Sequence, residues 1–107
     1  MLLGRYKMYV YLITNNLSQY KIGISKNPKR RIKELQTGND SNLFIVNEYK
    51  SEKYYKQIEK ALHNTYKYCN ILNEWFELTN DQASMFISEC IKIENNLTFM
   101  DNNVIVD

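Results

Sequence analysis

Cysteine and histidine are scarce in this chain of 107 residues, which contains two cysteines, Cys69 and Cys90, and one histidine, His63. Two cysteines cannot build the framework of several disulfides that holds many small secreted domains together, and their spacing fits no metal site. A structural zinc site needs four ligands of these types. The scarcity therefore argues against a disulfide-rich secreted domain and against a structural zinc domain. Cys90, on the apolar face of a predicted helix, is expected to be a small buried side chain.

Long hydrophobic runs are also absent. No apolar run approaches the roughly 20 residues that cross a bilayer. The N-terminal stretch MLLGRYKMYVYLI lacks the apolar core and the cleavage site of a signal peptide. We therefore expect an intracellular protein, cytoplasmic or nuclear depending on its host, with no membrane contact.

Internal repeats, low-complexity segments and linkers are lacking as well. A chain of this length forms one domain with a modest core. Its 44% hydrophobic and 24% charged residues are ordinary values for a globular protein. We expect one domain over residues 1–96 and a C-terminal tail over residues 97–107, which could be an edge strand, a partner-binding segment or a frayed end.

The charge is unevenly distributed along the chain. Residues 1–50 carry nine Lys or Arg and three acids, a balance of +6, whereas residues 51–107 carry five and nine, a balance of −4. A basic half can attract a polyanion such as a nucleic acid. The alternative is a solvated surface on which charges are segregated by chance.

Alternating side chains predict a β-hairpin near the N-terminus. In YKMYVYLI, Tyr9, Tyr11 and Ile13 share one face, and YKIGIS resumes the alternation after a polar connection. The simplest arrangement places one face of this hairpin on the core. A basic helix should follow, with Asn27 as its N-cap and Pro28 in its first turn.

The remaining segments complete a small α+β domain. NLFIVNEY predicts a third strand, and NEWFEL is a brief strand or a packed loop. Helical spacing predicts one helix in SEKYYKQIEKALHNTYKY and another in TNDQASMFISECIKIEN, which opens with a capping box. The expected fold is a three-stranded antiparallel sheet flanked by about three helices.

Several residues of this fold could form an anion pocket. Tyr11 and Lys21 project from the same face of the hairpin, so they can be cross-strand neighbours. Arg31, at the border of the buried stripe of the basic helix, could point back over the sheet. Gly23 would let another backbone or a ligand approach closely. Phosphate suits such a combination of a helix N-terminus and an arginine.

The same basic helix and the one after the third strand supply further candidates. Lys26, Lys29 and Arg30 could contact nucleic acid from solvent. Glu59 lies one position off the apolar face of its helix, where it is either a boundary residue paired with a lysine or a ligand for Mg²⁺ or Mn²⁺. His63, one turn later, could contact a phosphate backbone or be a partly exposed helical histidine.

In this order, the segments YVYLI, YKIG, NPKRR, a helical glutamate and EWFEL resemble the GIY-YIG nuclease superfamily, most closely its compact phage and large-DNA-virus branch. The resemblance covers about residues 8 to 79. It implies a GIY-YIG-like fold, with Tyr11 as the catalytic tyrosine, Arg31 as the catalytic arginine and Glu59 as the metal-binding glutamate. It also implies cleavage of a DNA phosphodiester bond in one Mg²⁺-assisted step.

Three positions depart from the family pattern. Tyr9 replaces the glycine of the first motif, Lys21 replaces the tyrosine of the second, and Leu35 stands where the family often has a histidine. Tyr20 cannot substitute for Lys21, because a shift of one residue puts it on the opposite face of the sheet. Either Tyr11 or Lys21 could therefore be the general base.

These observations predict a Mg²⁺-dependent endonuclease of viral or phage type. Its substrate would be duplex or branched DNA, with RNA as a further candidate, and it would act as a monomer or weak homodimer, with a separate partner available for targeting. The first alternative is a catalytically inactive GIY-YIG-like module that only binds nucleic acid. The second is a structural or interaction protein that acts through its tail.

Overall fold

A computed structural model describes residues 7–103, which contain five strands and four helices. The last four residues of the predicted tail lie outside the described residues, and residues 97–102 continue the final helix. The elements are β1 (Tyr9–Thr14), β2 (Gln19–Ser25), α1 (Pro28–Thr37), β3 (Phe44–Lys50), α2 (Tyr55–Thr65), β4 (Asn70–Leu72), β5 (Trp75–Glu77), α3 (Asn80–Ser84) and α4 (Phe86–Asn102). A short 3₁₀ turn at Lys67–Cys69 lies between α2 and β4.

The sheet has five antiparallel strands in the order β3-β1-β2-β5-β4. The prediction of a three-stranded sheet is therefore wrong, because β4 and β5 form a hairpin that extends it. β5 pairs with β2 only at Gln19, Lys21 and the residue between them. Three-residue strands are too short for an alternating pattern to be recognised, so the sequence did not reveal the hairpin.

The described residues form four helices rather than about three. The last predicted helix is divided at Met85, which ends α3 and precedes α4. The backbone N–H of Met85 donates to the carbonyls of Gln82 and Ala83. The capping box at Thr79 and Gln82 is confirmed. None of the helices in residues 7–103 combines the length and apolar composition that would span a membrane.

Both faces of the β1–β2 hairpin are buried, whereas the sequence predicted one. Val10, Leu12 and Ile22 face one cluster, in which α2 and α4 contribute the apolar side chains. Tyr11 and Ile13 face a second cluster, which is covered by side chains of α1, β3, β5 and the loop before β3, namely Ile32, Leu35, Leu43, Ile45 and Trp75. Tyr11 therefore lies inside a packed layer rather than on an open surface.

The start of α1 follows the predicted pattern. The side chain of Asn27 accepts a hydrogen bond from the backbone N–H of Arg30 at 3.1 Å, and Pro28 occupies the first turn. This cap removes one of the unpaired N–H groups of a helix terminus. It fixes the helix so that a run of basic residues lies beside the ends of β1 and β2.

Candidate active site

Tyr11 and Gly23 are directly paired across β1 and β2. The ring of Tyr11 lies against the face of Gly23, and a Cβ atom added to the glycine would be 2.6 Å from Tyr11 Cζ and closer still to the hydroxyl oxygen. Only 1% of Tyr11 is exposed. The space that the sequence assigned to a ligand or another backbone is thus occupied by this ring.

Arg31 reaches the Tyr11 hydroxyl from α1. Its guanidinium lies close enough to that hydroxyl to lower the pKa of the Tyr11 phenol, through hydrogen bonding and through its positive charge. The guanidinium Nη1 donates to Glu34 Oε1 at 3.2 Å. The sequence prediction that Arg31 points back over the sheet is confirmed, and Lys29 and Arg30 are exposed, as expected.

The surroundings of Tyr11 favour its neutral form. Burial raises the pKa of the Tyr11 phenol above its ordinary value of 10.0, and the charges of Glu74 and Glu59 raise it further. The hydrogen bond and the charge of Arg31 lower it but do not outweigh burial. At neutral pH, Tyr11 is therefore a hydroxyl group that can donate a hydrogen bond.

Lys21 lies one diagonal step from Tyr11, since it pairs with Ile13 while Tyr11 pairs with Gly23. The Lys21 ammonium donates to Glu74 Oε1 at 2.9 Å, and only 8% of the lysine is exposed. An ammonium in such an ion pair has no lone pair with which to accept a proton. Lys21 is thus fixed by a carboxylate that the sequence analysis did not identify.

Glu74 is the residue of this site that sequence reasoning missed. It lies in the turn between β4 and β5, directly before Trp75, which pairs with Lys21. The segment NEWFEL contains this glutamate, but its two large aromatic residues favoured an interpretation of the segment as packed core. The carboxylate could be assigned only once the partner strand of β5 was known.

Glu59 joins the same group from α2. Burial raises the pKa of the Glu59 carboxyl above its ordinary value of 4.5, and the charge of Glu74 raises it further, while His63 and Lys21 lower it. Its pKa, like that of Tyr11, responds to the charges of the other site residues, so these groups form one electrostatic cluster. We call Tyr11, Lys21, Arg31, Glu59 and Glu74 the site cluster.

His63 is a partly exposed histidine of α2, which is the second of the two roles that the sequence left open for it. Its Nε2 donates to the backbone carbonyl of Ile22 at 2.9 Å, and its ring lies 5.1 Å from that of Phe76. The pairing of β5 with β2 ends at Lys21. The hydrogen bond of His63 places α2 beside Ile22, the next residue of β2. His63 therefore anchors the helix that carries Glu59 one turn earlier.

The two carboxylates of the site cluster suit a hard divalent cation. Mg²⁺ and Mn²⁺ prefer oxygen ligands, and a cation would relieve the unfavourable burial and mutual repulsion that raise the Glu59 pKa. Within residues 7–103, no three His, Cys, Asp or Glu side chains could hold a metal ion by themselves. The donor set fits Mg²⁺ when water and substrate oxygens supply the remaining ligands.

Basic side chains surround the first turn of α1. Two adjoining cavities, each of about 280 Å³, share Lys26 and Asn27. Lys29 lines one of them, and Arg30 and Arg31 line the other. Each cavity also contains one carboxylate, Glu48 in the first and Glu34 in the second, so cations outnumber carboxylates in both.

The positions that depart from the family pattern have structural roles. Leu35 packs in the cluster that contains Tyr11. Tyr20 packs against the opposite cluster, which confirms that it cannot take the place of Lys21. Tyr9 lines one of the basic cavities beside α1.

The fold and the site define a small α+β domain in which a tyrosine, an arginine, a lysine and two carboxylates lie close enough to form one electrostatic cluster. A family model described as the T5orf172 domain matches residues 8–91. Since the match covers most of the chain, the chain belongs to the T5orf172 domain family, a phage-associated group related to nucleases. No curated protein and no solved structure matches the chain.

Family membership confirms the coarser part of the sequence interpretation. It associates the domain with nucleic-acid interaction and with a nuclease-like or DNA-binding role. The narrower assignment to the GIY-YIG superfamily, the catalytic roles and the metal stay predictions.

Proposed function

We propose that this domain is a Mg²⁺-dependent endonuclease of GIY-YIG type that hydrolyses DNA phosphodiester bonds in a single step. The observation that carries the proposal is the convergence of Tyr11, Arg31 and Glu59, which come from β1, α1 and α2. Partly buried carboxylates that raise the pKa of a neighbouring tyrosine are typical of functional sites. Phosphoryl chemistry needs charge neutralisation and a positioned nucleophile, and this cluster can supply both.

Arg31 binds the scissile phosphate in this mechanism. Its guanidinium is partly exposed, lines a basic cavity and already contacts the Tyr11 hydroxyl. A planar guanidinium can donate two parallel hydrogen bonds to phosphate oxygens. Arg31 would therefore neutralise the phosphate and hold it next to Tyr11.

Glu59, assisted by Glu74, would hold the metal ion. A bound Mg²⁺ supplies charge stabilisation for the phosphate and the leaving oxygen. Glu59 contributes an oxygen ligand from a helix that His63 anchors to β2. Neutralisation of the two carboxylates also removes two of the contributions that raise the Tyr11 pKa.

Tyr11 contacts the water and acts as its base in this mechanism. The Lys21 ammonium, one diagonal step away on the same face of the sheet, assists as a positive charge that favours the phenolate. The ordinary pKa of a phenol is about 10, so Tyr11 acts as a base only when the surrounding charge lowers its pKa. Arg31 acts in that direction already.

One observation favours the catalytically inactive binding module as a second candidate. Lys21 is held in an ion pair with Glu74, and burial keeps Tyr11 in its neutral form. A module that only binds nucleic acid would retain Arg31 and the basic cavities around α1. It would bind DNA and show no metal-dependent cleavage.

The deciding experiment is the incubation of supercoiled plasmid with the purified protein in Mg²⁺ and in EDTA. The variant Glu59→Gln keeps the shape of the side chain and removes the carboxylate, and Glu52→Gln is the charge-matched control on the exposed surface. The proposal expects nicking or linearisation in Mg²⁺ by the wild type and by the control. Glu59→Gln should be slower by at least about 100-fold.

Binding without cleavage would instead support the inactive module. Branched DNA and RNA are tested in the same assay before that conclusion is drawn, because either is compatible with the site. Cleavage that persists in Glu59→Gln at the wild-type rate would remove Glu59 from the mechanism. Tyr11→Phe and Lys21→Ala then separate the contributions of the two residues to the activation of water. Full activity in Lys21→Ala would exclude the lysine from the mechanism.

A further inference from the structure

A separate cavity lies at the turn end of the β1–β2 hairpin. Its volume is about 280 Å³, and its lining combines polar residues of two loops with apolar residues of the β4–β5 hairpin. That volume is just below the roughly 300–1,000 Å³ of pockets for drug-sized ligands. The cavity therefore suits one flat group of the size of a nucleobase.

Two amide side chains of the lining are held in place by their oxygen atoms. Gln19 Oε1 accepts a hydrogen bond from Asn15 Nδ2 at 2.7 Å, and Asn39 Oδ1 accepts one from the backbone N–H of Ser41 at 3.0 Å. Neither Gln19 Nε2 nor Asn39 Nδ2 has a hydrogen-bond partner within the part of the chain that the structure describes. The cavity thus offers two oriented amide groups as donors.

The opposite wall is aromatic and aliphatic. Trp75 lines the cavity, and its indole also packs against the buried cluster that contains Tyr11 and Ile13. Leu72, which is 65% exposed, and its neighbour Ile71 extend this wall. Nucleobases stack on such aromatic surfaces, and each stacked base contributes about 1–3 kcal/mol to binding.

The cavity is close enough to the site cluster to be reached by the same nucleic-acid strand. Asn15 directly follows β1 and is four residues from Tyr11, which corresponds to about 13 Å of extended chain. Trp75 also pairs directly with Lys21 of the site cluster. A base held in this cavity would therefore belong to a nucleotide a few positions from the phosphate at Arg31.

We propose that the cavity lined by Gln19, Asn39 and Trp75 binds an unpaired nucleobase of the substrate strand. The amide groups donate to oxygen or nitrogen acceptors on the base edge, and the indole provides the stacking surface. The inference rests on the proposed function only in that the ligand is a nucleic acid. It names the substrate feature that the domain recognises, a base that is not paired in a duplex.

The test uses the fluorescence of Trp75, which is the only tryptophan of the chain. The full-length protein is titrated in EDTA with single-stranded oligothymidylate, with an abasic oligonucleotide of the same length and with a short duplex. Thymine carries two carbonyl acceptors, and EDTA prevents metal-dependent cleavage. Oligothymidylate should quench the fluorescence saturably, while the abasic strand and the duplex should not.

Two variants separate the base from the backbone. Gln19→Glu and Asn39→Asp retain the oxygen that accepts the internal hydrogen bond and lose the donor that faces the ligand. Asn96→Asp, on the exposed surface of α4, repeats the charge change as a control. Each pocket variant should weaken oligothymidylate binding by about fivefold more than abasic binding, whereas the control should weaken both equally.

The outcomes distinguish this inference from the proposed nuclease. Base-dependent quenching in a protein that cleaves neither plasmid nor branched DNA nor RNA would retain the base pocket and overturn the nuclease proposal. Equal quenching by the abasic strand would overturn the pocket and leave plasmid cleavage untouched. Base-dependent quenching that neither pocket variant reduces would also overturn it, since the base would then bind elsewhere.

Discussion

At the scale of single residues, the contact between Tyr11 and Gly23 is the tightest constraint on the site. Any side chain at Gly23 would occupy the space of the Tyr11 ring. We predict that Gly23→Ala displaces the ring, destabilises the fold by about 1–3 kcal/mol and lowers cleavage by at least about tenfold. Urea unfolding and plasmid cleavage measure the two effects.

Gly38, which follows α1, provides the matched control. A Cβ atom at Gly38 meets nothing within 4 Å, and its φ of −104° is accessible to alanine. Gly38→Ala should leave cleavage unchanged and stabilise the fold by about 0.4–1 kcal/mol, because it restricts the unfolded chain. Similar losses in both variants would contradict a specific role for the contact at Gly23.

The carboxyl of Glu59 makes a prediction about pH. Its pKa in the folded protein is above the ordinary value of 4.5, because it is partly buried and lies near Glu74. As the pH rises through 4.5, the unfolded chain releases this proton first, which favours unfolding. The contribution of Glu59 to stability is therefore lost with rising pH until the folded pKa is passed.

Glu59→Gln should accordingly gain stability relative to the wild type as the pH rises above 4.5. Urea unfolding between pH 4 and pH 7 without metal measures this difference, and Glu52→Gln corrects for the loss of one negative charge. A difference that is independent of pH would contradict the raised pKa. Added Mg²⁺ should reduce the gain, since a bound cation stabilises the carboxylate.

Some of these residues could be predicted from sequence because local rules place them. Strand alternation put Tyr11 on the correct face, and the cap at Asn27 fixed the register of Arg31 on its helix. Glu74 depends instead on which strand lies beside β2, which no local pattern specifies. The burial that raises the Tyr11 pKa was missed for a similar reason, since a second packed layer covers that face.

At the scale of elements, the β4–β5 hairpin joins the sheet to the site. It provides Glu74 for Lys21 and Trp75 for the second buried cluster. Each of its strands has only three residues, and its turn includes Asn73 at a φ of 53°, a left-handed conformation that asparagine tolerates better than most residues. Pairing with β2, rather than intrinsic strand propensity, therefore holds this hairpin in place.

We predict that the ion pair between Lys21 and Glu74 couples the hairpin to β2. In Glu74→Gln, the almost buried Lys21 ammonium loses its carboxylate partner, which should destabilise the fold by about 1–2 kcal/mol. Loss of a partner in a fully buried pair would cost more, but Glu74 is partly exposed. Lys21→Met keeps the stem of the side chain. The double variant should be more stable than the sum of the single changes predicts.

The exposed pair of Lys50 and Glu52, separated by 3.9 Å, is the control for this double-mutant cycle. Its coupling energy should be below about 0.5 kcal/mol. Urea unfolding of both cycles gives the comparison. A coupling at Lys21 and Glu74 as small as the control would show that packing, not the ion pair, fixes the hairpin.

At the scale of the whole molecule, the uneven charge of the sequence becomes a localised basic surface. The basic half of the chain contains α1, and Lys26, Lys29, Arg30 and Arg31 border the cavities at its first turn. The acidic half supplies Glu59 and Glu74 to the site cluster. In the proposed nuclease, the cations would therefore lie along the nucleic-acid backbone and the carboxylates at the metal ion.

This separation predicts how binding responds to salt. Each phosphate neutralised by a cation releases counterions, so affinity falls with salt at a slope of about 0.9 per phosphate contact on duplex DNA. Lys29→Ala and Arg30→Ala should each reduce that slope by about one, while Lys92→Ala on the distant helix α4 should leave it unchanged. The slope is measured on a short duplex in EDTA, so it does not depend on cleavage. An equal reduction in Lys92→Ala would mean that net charge, rather than the first turn of α1, guides the nucleic acid.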